Sequence, residues 1–272
     1  MTRFVDTHCH LNIMIKKEFD TALPDNFKEL CAPIITLAQE CGVSTLINVG
    51  TSLIESKNCL GIAQTFNNCF ATLGIHPNDV KENWQVDIKE FESMLSKNTA
   101  RKIVGIGEIG LDYHYADFNK TLQLKALHEQ IELAINYDLA IVIHTRDAGQ
   151  DVLAVLEEYK HKNIRGIIHC FSEDQAFAHR ALDLGFLLGI GGPLTYPKNE
   201  LLRTIFSSVP LESIVLETDA PYLPPQIIRG KQNSPAHIPT VGHFLAQLRK
   251  INVEEIAQVT TATALKLFGI PL

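Results

Sequence analysis

Eight short runs rich in Val, Ile, Leu, Phe and Gly punctuate this chain, separated by longer stretches of a different rhythm. The runs are FVDTHCH (4–10), STLINVG (44–50), CFATLGIHP (69–77), IVGIGEIGLD (103–112), AIVIHTRDA (140–148), RGIIHCFS (165–172), FLLGIGGP (186–193) and SIVLETDAPYL (213–223). Their apolar residues do not alternate strictly with polar ones, which is the pattern of strands covered on both faces in a parallel sheet. Between them, Thr121–Tyr137 places Leu124, Leu127, Ile131 and Ile135 at helical spacing. Val152–Tyr159 and Gln175–Leu184 follow the same logic, with Ser172 as the expected N-cap of the latter. Val253–Phe268 reads as a final helix stopped by Gly269 and Pro271. Eight strand–helix units without a linker predict one α/β domain over residues 1–272: a TIM-type (β/α)8 barrel with an extra C-terminal helix. An open doubly wound sheet usually carries a Gly-rich phosphate turn after its first strand, and here that strand ends in His-Cys-His.

Composition narrows the class. The chain has 272 residues, 46% hydrophobic and 20% charged, and a chain of that length buries roughly three quarters of its extended surface. It therefore needs no disulfide or structural metal to fold. The six cysteines form no C-x-x-C pair, and their sparseness fits a reducing, cytoplasmic location. No apolar run reaches membrane-spanning length, and no obligate protein partner is indicated. A formal net charge of -7, with no basic stripe, argues against an extended nucleic-acid surface but not against gripping a strand end.

Barrel enzymes carry their chemistry at the C-terminal ends of the strands. Here those ends hold His8 and His10, Glu108, His144, His169, and the pair Glu217 and Asp219. Side chains on a strand alternate with period two, so His8 and His10 share one side, as do Glu217 and Asp219, while Cys9 faces the helix layer. A lone strand His is usually a hydrogen-bonded core residue. Several imidazoles and carboxylates at one rim are different, because uncompensated charges there cost several kcal/mol each. A divalent cation offsets them together. Imidazoles with carboxylates suit Zn or Mn, and an oxygen-rich half suits Mg. Two ions about 4 Å apart need a bridging carboxylate, and Glu108 stands between the His groups. His76, in GIHP, and Arg146, in HTRDA, are candidate substrate contacts; Arg146 has Asp147 as an alternative partner.

The motifs DTHCHLN, GIHP, GEIGLDYH, HTRDA, HCFS and LETDAPYLPP, in this order along nearly the whole chain, resemble the TatD family of metal-dependent deoxyribonucleases, part of the amidohydrolase-like barrels. The resemblance implies two divalent ions, one held by His8, His10, Glu108 and Asp219 and the other by Glu108, His144 and His169, with Glu217 supporting the site or touching the metal water. It implies hydrolysis of DNA phosphodiesters, often from the 3′ end of single strands, so DNA ends or short single strands are the expected substrate. Asp219 is the expected general base, and Arg146 or Arg229 the expected phosphate contacts. Glu173 after HCFS, Pro193, Gln232 and Ser234 depart from the family pattern in loops, which bears on substrate preference rather than on the ligands. A small-ester, lactone or amide hydrolase on the same barrel is the competing activity. A non-catalytic metal binder is the other alternative, and its cue, a broken ligand set, is absent.

Overall fold

A computed structural model describes residues 3–16 and 18–271. In chain order its elements are β1 (Phe4–Cys9), α1 (Leu11–Lys16), α2 (Phe27–Glu40), β2 (Val43–Val49), α3 (Leu53–Thr65), β3 (Cys69–Leu73), α4 (Trp84–Ser96), β4 (Ile103–Asp112) and α5 (Lys120–Asn136). They continue with β5 (Ala140–Arg146), α6 (Gly149–Glu158), β6 (Gly166–Ile168), α7 (Gln175–Asp183), β7 (Phe186–Ile190), α8 (Glu200–Ser208), β8 (Ile214–Leu216), α9 (Ile238–Arg249) and α10 (Val253–Phe268). All ladders are parallel and the strand order is sequential from β1 to β8, as expected of a (β/α)8 barrel.

Two layers of apolar packing hold it. Alternate strand residues such as Phe4, Leu46, Ile106, Ile141, Leu188 and Leu216 pack with the surrounding helices. The complementary set, including Val5, Ile47, Val104, Val142, Ile167 and Val215, forms a separate cluster with Leu265, Leu267 and Phe268. That second cluster is the barrel interior, and the end of α10 closes its N-terminal mouth. Gly269 caps α10 at φ 63, a left-handed conformation open to glycine. At the C-terminal mouth the described residues leave a cavity instead, and polar side chains gather in its wall.

The seam between β8 and β1 is sparse. It holds one isolated bridge, Cys9 to Ala220, and the Asp219 N–H donates to the His8 carbonyl at 2.8 Å. Asp6 reinforces it: its carboxylate accepts from the Thr218 N–H at 3.0 Å, the Thr218 hydroxyl at 2.6 Å and the His8 N–H at 3.2 Å. The Asp ahead of the His-x-His is thus a stitch across the closure, holding both ligand-bearing segments in register.

Several expectations need correction. Ser172 does not cap α7; Asp174 does, accepting from the Phe177 N–H at 2.7 Å. The ladders of β6 and β8 are three residues each, so His169, Glu217 and Asp219 lie just beyond them. His76 is not in β3 but begins the short 3-10 turn Pro77–Asp79. Glu108 sits inside β4, not at its end, where the register slips between Ile106 and Ile109 against β5. Asp219 has φ 55, so it does not share a face with Glu217 by strand alternation. The turn and its bond to β1 aim it.

Candidate metal centre

Five strand-borne side chains converge on Glu108. Its Oε2 lies 3.3 Å from His8 Nε2, and His8 Nε2 is 3.2 Å from His10 Nε2. The two front nitrogens also face Asp219 Oδ1, at 3.7 Å from His8 and 3.3 Å from His10. On the other side, Glu108 Oε1 lies 2.8 Å from His144 Nδ1 and 3.8 Å from His169 Nε2. The two oxygens of one carboxylate therefore face two different sets of imidazoles. His8, Glu108 and His169 are buried, and His8 stacks on His169 at 3.5 Å between ring centroids.

The rear nitrogens explain why the rings stand this way. His10 Nδ1 lies 3.0 Å from the Val49 carbonyl, which only accepts, so Nδ1 carries the proton and Nε2 presents its lone pair. His169 Nδ1 lies 3.0 Å from Glu217 Oε1. His144 Nε2 lies 3.1 Å from Asp112 Oδ2, leaving Nδ1 for the centre. Acceptors behind ligand imidazoles fix tautomer and orientation in metal sites. Glu217 is itself held, accepting from the Cys170 N–H at 2.6 Å, and it does not line the cavity. It supports His169 from behind.

Electrostatics agree with a cation-seeking centre. Burial pushes Glu108 up, but the imidazoles of His169, His144 and His8 outweigh it and hold the carboxyl well below its usual range. Burial likewise opposes charge on Asp219, yet His10, His169 and His8 keep it low. Burial pulls His169 down, but Glu217 and Glu108 overcome it and raise the ring to about 10. Carboxylates and imidazoles crowd together here, and Arg146 is the one Lys or Arg lining this cavity among the described residues. His8, His10 and Glu108 place donor atoms within 4.8 Å of one another. The donor set, the fixed tautomers and the deprotonated carboxylates fit divalent metal.

The cavity over the centre has a volume of about 720 Å³ and includes His10, His76, Arg146, His169, Asp219 and Tyr222 in its wall. His76 accepts at Nδ1 from the Asn78 N–H (3.2 Å), so its Nε2 carries the proton, 3.7 Å from Glu108 Oε1. Burial lowers its pKa to about 4, and it stands as a neutral donor. Arg146 reaches the cavity and lies over Tyr115 at 5.7 Å; Asp147 pairs with His114 instead, at 3.0 Å. Arg229 is not in the wall, and its guanidinium rests on Tyr196 at 4.1 Å.

Sequence reasoning missed Asp112. It closes GEIGLD, and its carboxylate accepts from Asn78 Nδ2 at 2.9 Å and the His114 N–H at 3.0 Å besides facing His144. A lone Asp at a strand end carries no signal by itself; one at the end of the strand that carries Glu108 is the cue that was available. Asp112→Ala is expected to weaken metal binding about 10- to 100-fold, the usual effect of losing such a support. Titration calorimetry with Mn against wild type measures this, and circular dichroism checks the fold.

Comparisons with known proteins fall in line. The family model for TatD related DNase matches residues 5–269. YabD of Bacillus subtilis, an uncharacterized metal-dependent hydrolase, is 32% identical over 97% of this chain and 98% of its own length. The 3′-5′ ssDNA/RNA exonuclease TatD of Citrobacter rodentium is 32% identical over 88% of this chain and 92% of its own. The crystal structure of YjjV, a TatD homologue from Escherichia coli, superposes with a TM-score of 0.89 at 30% identity, covering 99% of each chain. With the family match spanning nearly the whole barrel and every strand-borne donor at its C-terminal mouth, this chain belongs to the family of TatD-related DNases, metal-dependent hydrolases.

Proposed function

We propose that this protein is a deoxyribonuclease that removes nucleotides from single-stranded 3′ ends, using two divalent ions of the Mg, Mn or Zn class. The observation that carries the reading is Glu108, whose Oε2 faces His8 while Oε1 faces His144 and His169. That is the disposition a bridging carboxylate needs. One ion falls to His8, His10, Glu108 and Asp219, the other to Glu108, His144 and His169. Bound cations of this kind supply Lewis acidity and make water a ready nucleophile near neutral pH.

The chain's own groups do the rest. Asp219, deprotonated and open to the cavity, accepts the proton of the attacking water. His76 donates its Nε2 proton to a phosphoryl oxygen, neutral at working pH because of its burial. Arg146, at the end of β5, neutralises phosphate charge with its planar fork. A mouth with one Lys or Arg, Arg146, in its wall among the described residues suits a strand end better than a duplex backbone. The exonuclease named among the relatives acts on single-stranded DNA and RNA, which supports the same substrate class. The cysteines are all free, in keeping with a reducing cytoplasm, and no helix among the described residues is long and apolar enough to cross a membrane.

Elemental analysis of the purified protein, joined to a nuclease assay with and without chelator, tests the reading. Two equivalents of metal and loss of single-strand cleavage on chelation, restored by added Mg or Mn, are expected. A metal-loaded protein that cleaves small esters or lactones but no oligonucleotide overturns it.

A further inference from the structure

Beside the metal cavity lies a smaller one of about 360 Å³, at the lower end of the size range of ligand sites. Asn78 and Tyr115 line both, which makes the smaller cavity a side chamber of the larger. Its wall comes from the segment 77–80, the first turn of α5 and the loop between β4 and α5. That loop leaves Tyr115 51% and Phe118 39% exposed, two aromatic faces within four residues that the fold itself does not bury. Phe118 is not loose, for it stacks on Tyr113 with centroids 4.6 Å apart and rings 22° from parallel.

Of the amides in the chamber wall, Gln123 is fully spent on the Asp112 backbone, and two others are half used. Asn119 spends its Oδ1 capping α5, accepting from the Leu122 N–H at 3.1 Å, and its Nδ2 remains to donate. Asn78 spends its Nδ2 on Asp112 at 2.9 Å, and its Oδ1 remains to accept. Asp117 adds a second acceptor to the wall. Among the described residues no Lys or Arg lines this chamber, whereas Arg146 stands on the metal side, over Tyr115. The chamber is therefore built for an uncharged flat ring with donors and acceptors on its edge, next to a position built for phosphate. Unstacked nucleobases are held in this manner, by aromatic faces and amide or carboxylate groups on their edges.

We infer that the side chamber is a nucleobase subsite for the nucleotide flanking the scissile phosphate. The base lies against Tyr115 and Phe118, and Asn78, Asp117 and Asn119 meet its edge. The inference rests on the nuclease reading and deepens it: a base must leave the stack to enter, so the chamber selects single strands.

The test compares kcat/KM for a trinucleotide with kcat/KM for methyl p-nitrophenyl phosphate, which has no base, in Mn-loaded wild type, Phe118→Ala and Phe118→Tyr. Phe118→Ala is expected to lower the trinucleotide-to-ester ratio about 5- to 150-fold, the worth of one stacked base, and Phe118→Tyr to restore most of it. An unchanged ratio in Phe118→Ala overturns the subsite and leaves the nuclease reading standing. If wild type cleaves no oligonucleotide, the nuclease reading falls, and calorimetric binding of the trinucleotide decides the chamber. Weaker binding by Phe118→Ala then supports it; equal binding, or none by wild type, overturns it.

Discussion

Glu108→Gln is expected to empty the metal centre and lower hydrolysis by about a thousandfold or more, since several kcal/mol of charge stabilisation leave with the ions. The amide keeps the shape of the carboxylate but offers one acceptor oxygen where the two proposed cations, one beside each imidazole set, each require one. On one side His8 faces Oε2; on the other His144 and His169 face Oε1, so whichever way the amide turns, one set meets an N–H₂ that cannot bind a cation. The barrel is expected to remain folded, because its two apolar clusters do not depend on this side chain. Metal analysis, a nuclease assay and far-ultraviolet circular dichroism together measure the outcome. Two retained equivalents of metal with a wild-type rate contradict the bridge.

Asp219→Asn separates binding from turnover. The residue sits at φ 55, a conformation that Asn tolerates nearly as well as Asp, and its N–H bond to the His8 carbonyl is a backbone contact. Structure should therefore survive. What disappears is the charge next to His10, 3.3 Å from its Nε2, and with it the capacity to take a proton. A loss of about 10²- to 10⁴-fold in kcat is expected from removing a general base, with at least one metal still bound. The KM for oligonucleotide should change far less, since the proposed substrate contacts His76 and Arg146 are untouched. A variant at wild-type kcat on every accepted substrate disproves the assignment.

How legible the molecule was in its sequence depends on the range of the forces at each place. The bounds of β4 and α10 were readable because local chemistry sets them: an Ile-, Val- and Gly-rich run interrupted by Glu108 in one, and a left-handed glycine at φ 63 in the other. The start of α7 at Gln175 was read correctly, but its cap was not, since Ser172 and Asp174 are both capable caps and only the path of the chain from His169 chooses between them. His8, His10, Glu108, His144 and His169 were legible as a set because strand ends of a parallel barrel share one rim. Arg229 was equally plausible in the sequence, yet it packs on Tyr196.

The order of strands, the side of the barrel that carries chemistry and the residue types that meet there all follow from the sequence alone, because period, composition and strand order are local or topological properties. Tertiary structure decided the finer assignments: that Glu108 turns its two oxygens to two groups, that Asp112 stands behind His144, that Glu217 stays beneath His169 while Asp219 opens to the cavity, and that Tyr115 and Phe118 wall a side chamber. The contacts of Glu108, Asp112, Glu217 and Asp219 hang on distances of about 3 Å between residues tens to hundreds of positions apart. Such distances arise from a register slip in β4, a turn after β8 and a seam stitched by Asp6, none of which a one-dimensional pattern encodes.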